Sequence, residues 1–486
     1  MNRQLRHISI FCGILFLALL LRDNWLQYVK ADQLDSSSLN RRVAIERYSH
    51  KRGDIIVDGK PITGSVKTDD LDLKYKTTWT DGAEWAPVTG YASQAFGSTG
   101  LENVDDDILT GSDDRLFRDR TLSMFTGEQQ EGGSIVTTLN AAAQKAAFEG
   151  LGKKKGAVAA IDPTTGKILA LASTPSYDPS SFAGMSNADG KAYNALKHGK
   201  DRPMLNRALK ETYPPGSTFK LVTASAALES GKVTDVDAPT NSPLPYIMPG
   251  TTTPLNNEGN LPCENATLRV ALEVSCNSVF GKLGADMGVK SMASEAEKFG
   301  FNNYVDTPVR AVASVFPTGI NTSQTALSSI GQFDTAATPL QMAMVGAAIA
   351  NDGKLMHPYM VDELRAPNLD VIDKTQPKEM SQPLTPEHAQ ELQSMMESVV
   401  QKGTGAMAQI SGVTVGGKTG TAQHGENNSG LPYAWFVSYA KVSNSSPVAV
   451  AVVVEDGSAN RNDISGGGLA APIAKAVMQA VINSNK

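Results

Sequence analysis

The sequence has few of the residues that build metal and redox centres. Its 486 residues include six histidines and three cysteines, with no Cys-x-x-Cys pair and no His-Glu-x-x-His string. A cysteine zinc site and zinc-peptidase chemistry therefore have no support, and we predict neither a metal nor a cofactor. No Gly-x-Ser-x-Gly string occurs either, which argues against the nucleophile elbow of α/β-hydrolases.

An excess of basic charge is also missing. Lysine and arginine total 44 against 50 acidic residues, giving a formal net charge of -6. Nucleic-acid binding normally needs a basic face, so we expect no nucleic-acid partner. The apolar fraction of 41% is ordinary for a globular chain, and the length predicts two or three domains at ~150 residues each.

The three cysteines leave one question open. Cys12 lies in the apolar N-terminal run, whereas Cys263 and Cys276 lie close together in the chain. The latter two could form a disulfide if that region is outside the cytoplasm. The alternative is two free, partly buried thiols, because sequence spacing does not fix disulfide geometry.

Long hydrophobic runs are scarce, and only the N-terminal one suggests a membrane segment. Ile8–Leu21 would rise only ~21 Å as a helix, against a ~30 Å hydrocarbon core. A cleaved signal peptide is one interpretation. We favour an uncleaved single-pass anchor, with Arg22 and Trp25 at the interface. Arg3 and Arg6 would keep the N-terminus cytoplasmic, placing everything after about residue 30 outside the cytoplasm.

The remaining chain divides by its pattern near Gly132. The preceding region is polar and turn-rich, with short strand candidates such as Ile55–Val57. Afterwards come strands, many helices, three more strands and a C-terminal helix, which predicts a sheet built from both ends of a domain and covered by helices. We predict a multidomain α+β protein with an anchor (1–30), a small α+β N-terminal domain (31–145) and a larger domain (146–486).

Three short strings carry candidate chemistry: Ser217-Thr-Phe-Lys220, Ser275-Cys-Asn277 and Lys418-Thr-Gly420. Each is weak alone, and a second Ser-x-x-Lys occurs at Ser438–Lys441. That copy lies in a predicted strand, where positions three apart point to opposite faces. The order of the three strings along the chain makes the combination specific.

The first string predicts an activated serine. Ser217 follows Pro-Pro-Gly and should start a helix, where backbone N–H groups favour developing negative charge. Lys220, three residues on, shares its helical face and can reach the Ser217 hydroxyl. A neutral lysine can take the hydroxyl proton, and burial beside Lys418 would lower the pKa of Lys220. The alternative is a helix cap followed by a surface lysine.

The third string predicts a substrate-binding strand. Gly416 and Gly417 would let a substrate backbone approach closely. Lys418, Thr419 and Thr421 could then meet a substrate carboxylate. The alternative is a glycine-weakened edge strand with a solvated lysine.

The middle string is the least distinctive. Ser275 and Asn277 interrupt a helical pattern with small polar groups, which could relay a proton and hold a substrate amide. Local helix caps are the commoner fate of such residues.

A competing motif overlaps the third string. Gly412–Thr419 matches the phosphate-binding pattern G-x-x-x-x-G-K-[ST]. That loop requires a following helix, but Gly420, Gly425 and Gly430 come next. We therefore do not favour a nucleotide site.

The three motifs together resemble those of the penicillin-binding proteins. The whole chain is similar to the class B members, and most to the actinobacterial A type, through Arg52-Gly-Asp-Ile, Asp162-Pro-Thr-Thr-Gly, Ser176-Tyr-Asp-Pro and Thr338-Pro-Leu-Gln-Met-Ala. The resemblance implies that residues 146–486 form a transpeptidase domain with a central antiparallel sheet. It also implies a non-catalytic, pedestal- or dimerisation-like N-terminal domain.

The resemblance further implies a catalytic set. Ser217 would be acylated by D-alanyl-D-alanine stem peptides of peptidoglycan, and by β-lactams that mimic them. Lys220 would be the general base, and Ser275 and Asn277 the second motif. Lys418, Thr419 and Gly420 would form the third motif, and the N–H groups of Ser217 and Thr421 the oxyanion hole. Expected partners are stem peptides, β-lactams, the cell membrane and division or elongation proteins.

Cys276 stands where the β-lactamase form of the middle motif has Asp, which argues mildly against a class A β-lactamase. A D,D-carboxypeptidase or a serine β-lactamase is the alternative enzyme. A β-lactam sensor is less favoured, because few residues precede the anchor to signal inside the cell.

Overall fold

The structure is a computed structural model that describes residues 3–35, 41–117, 131–443, 445–455, 461 and 464–485. The helices within these ranges are α1 (Arg3–Tyr28), α2 (Ala31–Asp35), α3 (Arg41–Ser49), α4 (Gly82–Thr89), α5 (Leu101–Val104), α6 (Asp106–Thr110), α7 (Ala141–Leu151), α8 (Asn187–Lys197), α9 (Arg207–Lys210), α10 (Lys220–Glu229), α11 (Leu268–Glu273), α12 (Asn277–Lys298), α13 (Thr322–Ser328), α14 (Pro339–Ala350), α15 (Pro386–Gln401) and α16 (Ala471–Ser484).

The strands of the same ranges are mostly short. They are β1 (Ile55–Val57), β2 (Lys60–Pro61), β3 (Thr63–Lys67), β4 (Tyr75–Trp79), β5 (Ala92–Ser93), β6 (Gly97–Ser98), β7 (Ser134–Thr137), β8 (Gly156–Ile161), β9 (Ile168–Thr174), β10 (Tyr246–Ile247), β11 (Pro254–Leu255), β12 (Val305–Asp306), β13 (Arg310–Ala311), β14 (Leu355–Met356), β15 (Val361–Arg365), β16 (Val371–Lys374), β17 (Glu379–Ser381), β18 (Thr414–Ala422), β19 (Tyr433–Val442) and β20 (Ser445–Val454).

The larger domain is built on a five-stranded antiparallel sheet in the order β18-β19-β20-β8-β9. Strands β8 and β9 form the predicted hairpin, and the three later strands join it from the far end of the domain. Strand β20 is buried along nearly its whole length, as its run of valines predicts. The predicted sheet with strands from both ends of a domain is confirmed, and β18 forms one of its edges.

Helices cover both faces of this sheet. On one face, α7 and α16 pack their alanine, valine and isoleucine side chains against β8 and β20. On the other face, α14 and α15 lie against the sheet, and α10 and α12 pack in the same core. Thr338 caps α14 by accepting from the Gln341 N–H, with Pro339 at the first helical position, as predicted.

A second five-stranded sheet, in the order β16-β15-β7-β1-β2, joins distant parts of the chain. Strand β7 pairs parallel with β1 and antiparallel with β15. Strands β15 and β16 come from the middle of the predicted larger domain. The sheet therefore contains strands from both sides of the domain boundary predicted at residue 145.

Helix α1 contains the predicted apolar run and extends it at both ends. Its 26 residues rise ~39 Å, enough to cross a ~30 Å hydrocarbon core. Among the described residues it is the one helix long and apolar enough to span a membrane, and none of its residues is buried. The Arg22 guanidinium lies 4.7 Å from the centre of the Trp25 ring. The helix is thus compatible with a single-pass anchor.

Candidate active site

Ser217 lies at the start of a helix, as predicted. A 3-10 turn, Gly216–Phe219, leads directly into α10. Gly216 has a φ of +52°, and a Cβ there would lie 3.0 Å from the Ala422 Cβ. Glycine therefore allows the turn to pack closely against β18. Ser217 is partly exposed, and no described residue hydrogen-bonds to its hydroxyl.

Lys220 is fully buried one turn further on. Its ammonium group lies 3.1 Å from the Ser275 Oγ and 2.8 Å from the Ser275 carbonyl oxygen, and it donates to the Asn277 Oδ1 at 2.7 Å. A surface lysine after a cap is therefore excluded. The predicted contact with Ser217 is not made in this structure, where Lys220 bonds to the middle motif instead.

Lys418 also contacts Ser275. It is fully buried on β18, and its Nζ lies 3.0 Å from the Ser275 Oγ and 2.9 Å from the Thr419 carbonyl oxygen. A solvated lysine on an edge strand is excluded. The Ser275 Oγ thus lies between two buried lysine side chains.

This arrangement depresses the basicity of both lysines. Burial lowers the pKa of Lys220 well below its ordinary value, the neighbouring Lys418 charge lowers it further, and Glu258 opposes both effects. Burial also lowers the pKa of Lys418 to about 7, again opposed by Glu258. Neutral lysine is therefore accessible near physiological pH, which a general base requires.

Ser275 connects α11 to α12 and has a left-handed backbone, with φ +66°. Left-handed backbone in a non-glycine residue costs energy, and such residues are enriched at functional sites. The next residue, Cys276, forms a disulfide with Cys263, which answers the question that the sequence left open. Free thiols at these positions are excluded.

Asn277 is held by a loop that the motif search did not identify. Its Nδ2 donates to the Asn256 carbonyl oxygen at 2.9 Å. The Asn257 Oδ1 accepts from the backbone N–H groups of Asn277 and Ser278, at 2.6 and 3.0 Å, at the start of α12. The Asn277 amide is thus engaged within the protein by Lys220 and by this loop. The loop is polar and aperiodic, so only its Asn-Asn pair offered a signal.

The motifs border one cleft of about 360 Å³. Its wall includes Ser217 and Ser275, and also Thr419 and Thr421 from the edge strand. The hydroxyl groups of Thr404 and Thr419 lie 2.6 Å apart. The remaining wall carries three charged residues, two aliphatic residues and a glycine: Glu258, Glu273, Lys402, Leu261, Val274 and Gly403.

Two glycines of β18 make room for aromatic side chains of the core. A Cβ on Gly416 would lie 2.4 Å from ring carbons of Tyr439, and one on Gly417 would lie 2.5 Å from the Phe436 Cζ. Both aromatic side chains come from the neighbouring strand β19. These glycines make room for the core. A Cβ on Gly420 would lie 3.0 Å from the Pro215 carbonyl oxygen.

The competing motifs do not form sites. The Gly412–Thr419 string runs into β18, which continues as a strand to Ala422, so no phosphate-binding helix follows. Ser438 is buried in β19, while Lys441 bonds to Gln393 at 3.3 Å. His424 stacks on the Tyr433 ring with centroids 4.0 Å apart, which is a structural role.

Two family models match the chain. The model described as the penicillin binding protein transpeptidase domain matches residues 156–479. The penicillin binding protein A dimerisation domain matches residues 52–135. The chain therefore belongs to the class B penicillin-binding protein family.

Whole-chain relatives agree with this family. The chain is 38% identical to the peptidoglycan D,D-transpeptidase PbpA of Mycolicibacterium smegmatis over 499 residues, covering 99% of both proteins. It is 39% identical to the protein of the same name from Mycobacterium tuberculosis over 496 residues, again covering 99% of both. The resemblance to the actinobacterial A type is confirmed.

Solved structures agree as well. The ceftriaxone acyl-enzyme of penicillin-binding protein A from M. tuberculosis has a TM-score of 0.85 at 38% identity, covering 90% of this chain and 100% of that one. The penicillin G acyl-enzyme has a TM-score of 0.82 at 38% identity, covering 89% and 100%. The multidomain α+β fold with an antiparallel transpeptidase sheet is confirmed.

Proposed function

We propose that this chain is a serine D,D-transpeptidase that cross-links peptidoglycan through an acyl-enzyme on Ser217. The observation that carries the proposal is the Ser275 Oγ lying between the buried Lys220 and Lys418, in the cleft that Ser217 borders. This arrangement supplies a nucleophile, a base of lowered pKa and a hydroxyl between them. The relatives named as peptidoglycan D,D-transpeptidases support the same chemistry.

In the first step, the Ser217 Oγ attacks the carbonyl between the two D-alanines of a donor stem peptide. Its proton passes to neutral Lys220, whose lowered pKa permits this role. The C–N bond then breaks, and the leaving D-alanine amine takes a proton delivered by way of the Ser275 hydroxyl. In the second step the amine of a neighbouring stem peptide attacks the ester and frees Ser217.

The edge strand binds the donor. Lys418, with Thr419 and Thr421, attracts the terminal carboxylate, and the donor backbone extends along β18 beside Gly420. The N–H groups of Ser217 and Thr421 stabilise the oxyanion, where one donor is worth ~3 kcal/mol of transition-state stabilisation. Asn277 holds Lys220 in place. β-Lactams acylate Ser217 as donor mimics.

The rest of the chain serves to position this site at the cell surface. Residues 1–30 form the cytoplasmic tail and the anchor, residues 31–145 the non-catalytic domain and residues 146–486 the transpeptidase domain. The catalytic domain is extracytoplasmic, in keeping with the Cys263–Cys276 disulfide. The protein partners of the chain are division or elongation proteins.

Product analysis tests the proposal against the alternatives. The full chain in detergent is incubated with a D-alanyl-D-alanine pentapeptide donor and an amine acceptor. A transpeptidase forms the amide between them. Hydrolysed tetrapeptide as the only product would show a carboxypeptidase, and rapid turnover of benzylpenicillin would show a β-lactamase.

A further inference from the structure

The acylation steps proposed above assign no step to Glu258, a carboxylate in the wall of the active-site cleft. Glu258 lines the cleft with Ser217 and Ser275, and its side chain is exposed. No described residue makes a hydrogen bond or ion pair with it, although its charge acts on both Lys220 and Lys418. The edge strand thus carries one buried basic group, Lys418, the cleft wall also includes Lys402, and the loop contributes an unpaired carboxylate.

The two residues before Glu258 are held by hydrogen bonds to the start of α12. Asn256 and Asn257 bind the start of α12 through the hydrogen bonds to Asn277 and Ser278. The Asn257 Nδ2 also donates to the Ser278 Oγ at 3.0 Å, and Leu255, just before them, is buried in β11. Glu258 therefore directly follows a segment that is attached to the catalytic motif, which keeps its backbone beside the cleft.

The two reaction partners differ in charge. The donor brings a carboxylate, which the basic strand accommodates, whereas the acceptor arrives as an amine that is mostly protonated at neutral pH. An unpaired carboxylate beside the acylated serine is suited to hold an ammonium group, because charge-assisted hydrogen bonds are the strong ones. Water, which competes with the amine for the acyl-enzyme, carries no positive charge for Glu258 to bind.

We propose that Glu258 binds the protonated amine of the acceptor and favours aminolysis of the acyl-enzyme over hydrolysis. The inference rests on the proposed transpeptidase function and names a residue for its second step. The ammonium group loses one proton to neutral Lys220, and its nitrogen then attacks the ester carbonyl. The C–N bond forms, the C–Oγ bond breaks, and the second proton returns to the Ser217 Oγ. Lys220 releases its proton to solvent.

The inference is tested by measuring how the acyl-enzyme partitions between aminolysis and hydrolysis. The full chain in detergent is acylated with a thioester analogue of the donor at about pH 7. Glycinamide serves as the charged acceptor and hydroxylamine as the neutral one. The ratio of aminolysis to hydrolysis is measured for each, and it does not depend on the acylation rate because both products arise from one acyl-enzyme. Glu264→Gln, an exposed glutamate of the same loop outside the cleft, is the matched control.

Loss of one charge-assisted hydrogen bond predicts that Glu258→Gln lowers the glycinamide ratio about tenfold or more. The hydroxylamine ratio and both Glu264→Gln ratios should stay at the wild-type values. An unchanged glycinamide ratio, or an equal fall with hydroxylamine, would overturn the inference. A wild-type chain that forms no acyl-enzyme with the thioester contradicts the proposed function, and the inference with it.

Discussion

At the scale of single residues, the Ser275 hydroxyl contacts both lysines of the site. Its hydroxyl lies within 3.1 Å of Lys220 and 3.0 Å of Lys418, both fully buried. Two ammonium groups around one hydroxyl in a desolvated site repel each other, so the site favours one neutral lysine. Because of these surroundings, Lys220, the base, and Lys418, the carboxylate-binding cation, differ in charge.

Replacement of Lys220 tests its role as the base. Lys220→Ala should slow acylation by a labelled penicillin by about 10²- to 10⁴-fold, the usual contribution of general base catalysis. The measurement is the second-order acylation rate constant. Lys441→Ala, which alters the second Ser-x-x-Lys string, is the control and should acylate at the wild-type rate. An unchanged rate in Lys220→Ala would remove it from this role.

The pH dependence of ligand affinity tests Lys418. Its pKa of about 7 means that the free enzyme loses this positive charge as the pH rises through neutrality. A bound carboxylate favours the protonated form, so binding takes up a proton above about pH 7. The dissociation constant of the non-covalent β-lactam complex should therefore increase above neutrality. A constant that does not change between mildly acidic and mildly alkaline pH would contradict this account.

At the scale of secondary-structure elements, the sequence was most informative where apolar runs are long. The three strands β18–β20, the hairpin of β8 and β9, and the helix after Thr338-Pro339 were all predicted, because alternation, turns and caps are local signals. The pairing of β7 with β15 was not predicted, because short strands far apart in the chain carry no register information.

The candidate active site shows the same contrast between local sequence signals and long-range contacts. The three motifs were found because each is a short local string. Asn257 and Glu258 were not found, because their loop is brought to the site by hydrogen bonds and by the Cys263–Cys276 disulfide. The packing of Gly416 and Gly417 against aromatic rings was not predicted. The Tyr439 and Phe436 rings lie beside these glycines because of the way β18 pairs with β19, and the local sequence does not give that pairing.

Filling the space at Gly416 tests this packing explanation. Gly416→Ala places a Cβ 2.4 Å from the buried Tyr439 ring, and overpacking of this kind costs about 1–3 kcal/mol. The melting temperature of the full chain should fall. Gly190→Ala on α8, where a Cβ meets nothing within 4 Å, is the control and should be neutral or slightly stabilising. Equal melting temperatures for Gly416→Ala and the wild type would refute the packing role.

At the scale of the whole molecule, the sheet β16-β15-β7-β1-β2 connects the N-terminal region to the transpeptidase region. In addition, α7 begins before residue 145 and packs on the C-terminal helix α16. A cut at residue 145 would break this helix and expose the edge of β15. The catalytic region therefore depends on residues that precede it.

Truncation tests this dependence. A fragment of residues 146–486 should be largely insoluble or fail to bind penicillin, because it lacks β7 and half of α7. A fragment of residues 41–486 retains both and should be soluble and competent. Soluble yield and penicillin labelling per milligram are the measurements. Equal labelling of the two fragments would show that the catalytic region folds without its N-terminal partner strands.

The most direct test of the central claim is the intact mass of the full chain in detergent after incubation with benzylpenicillin. Ser217 acting as the nucleophile predicts a stable gain of one drug molecule in the wild type, with peptide mapping locating it on Ser217. The same treatment of a folded Ser217→Ala variant should give no adduct. An adduct that persists in Ser217→Ala would contradict the assignment of Ser217, and with it the catalytic arrangement proposed here.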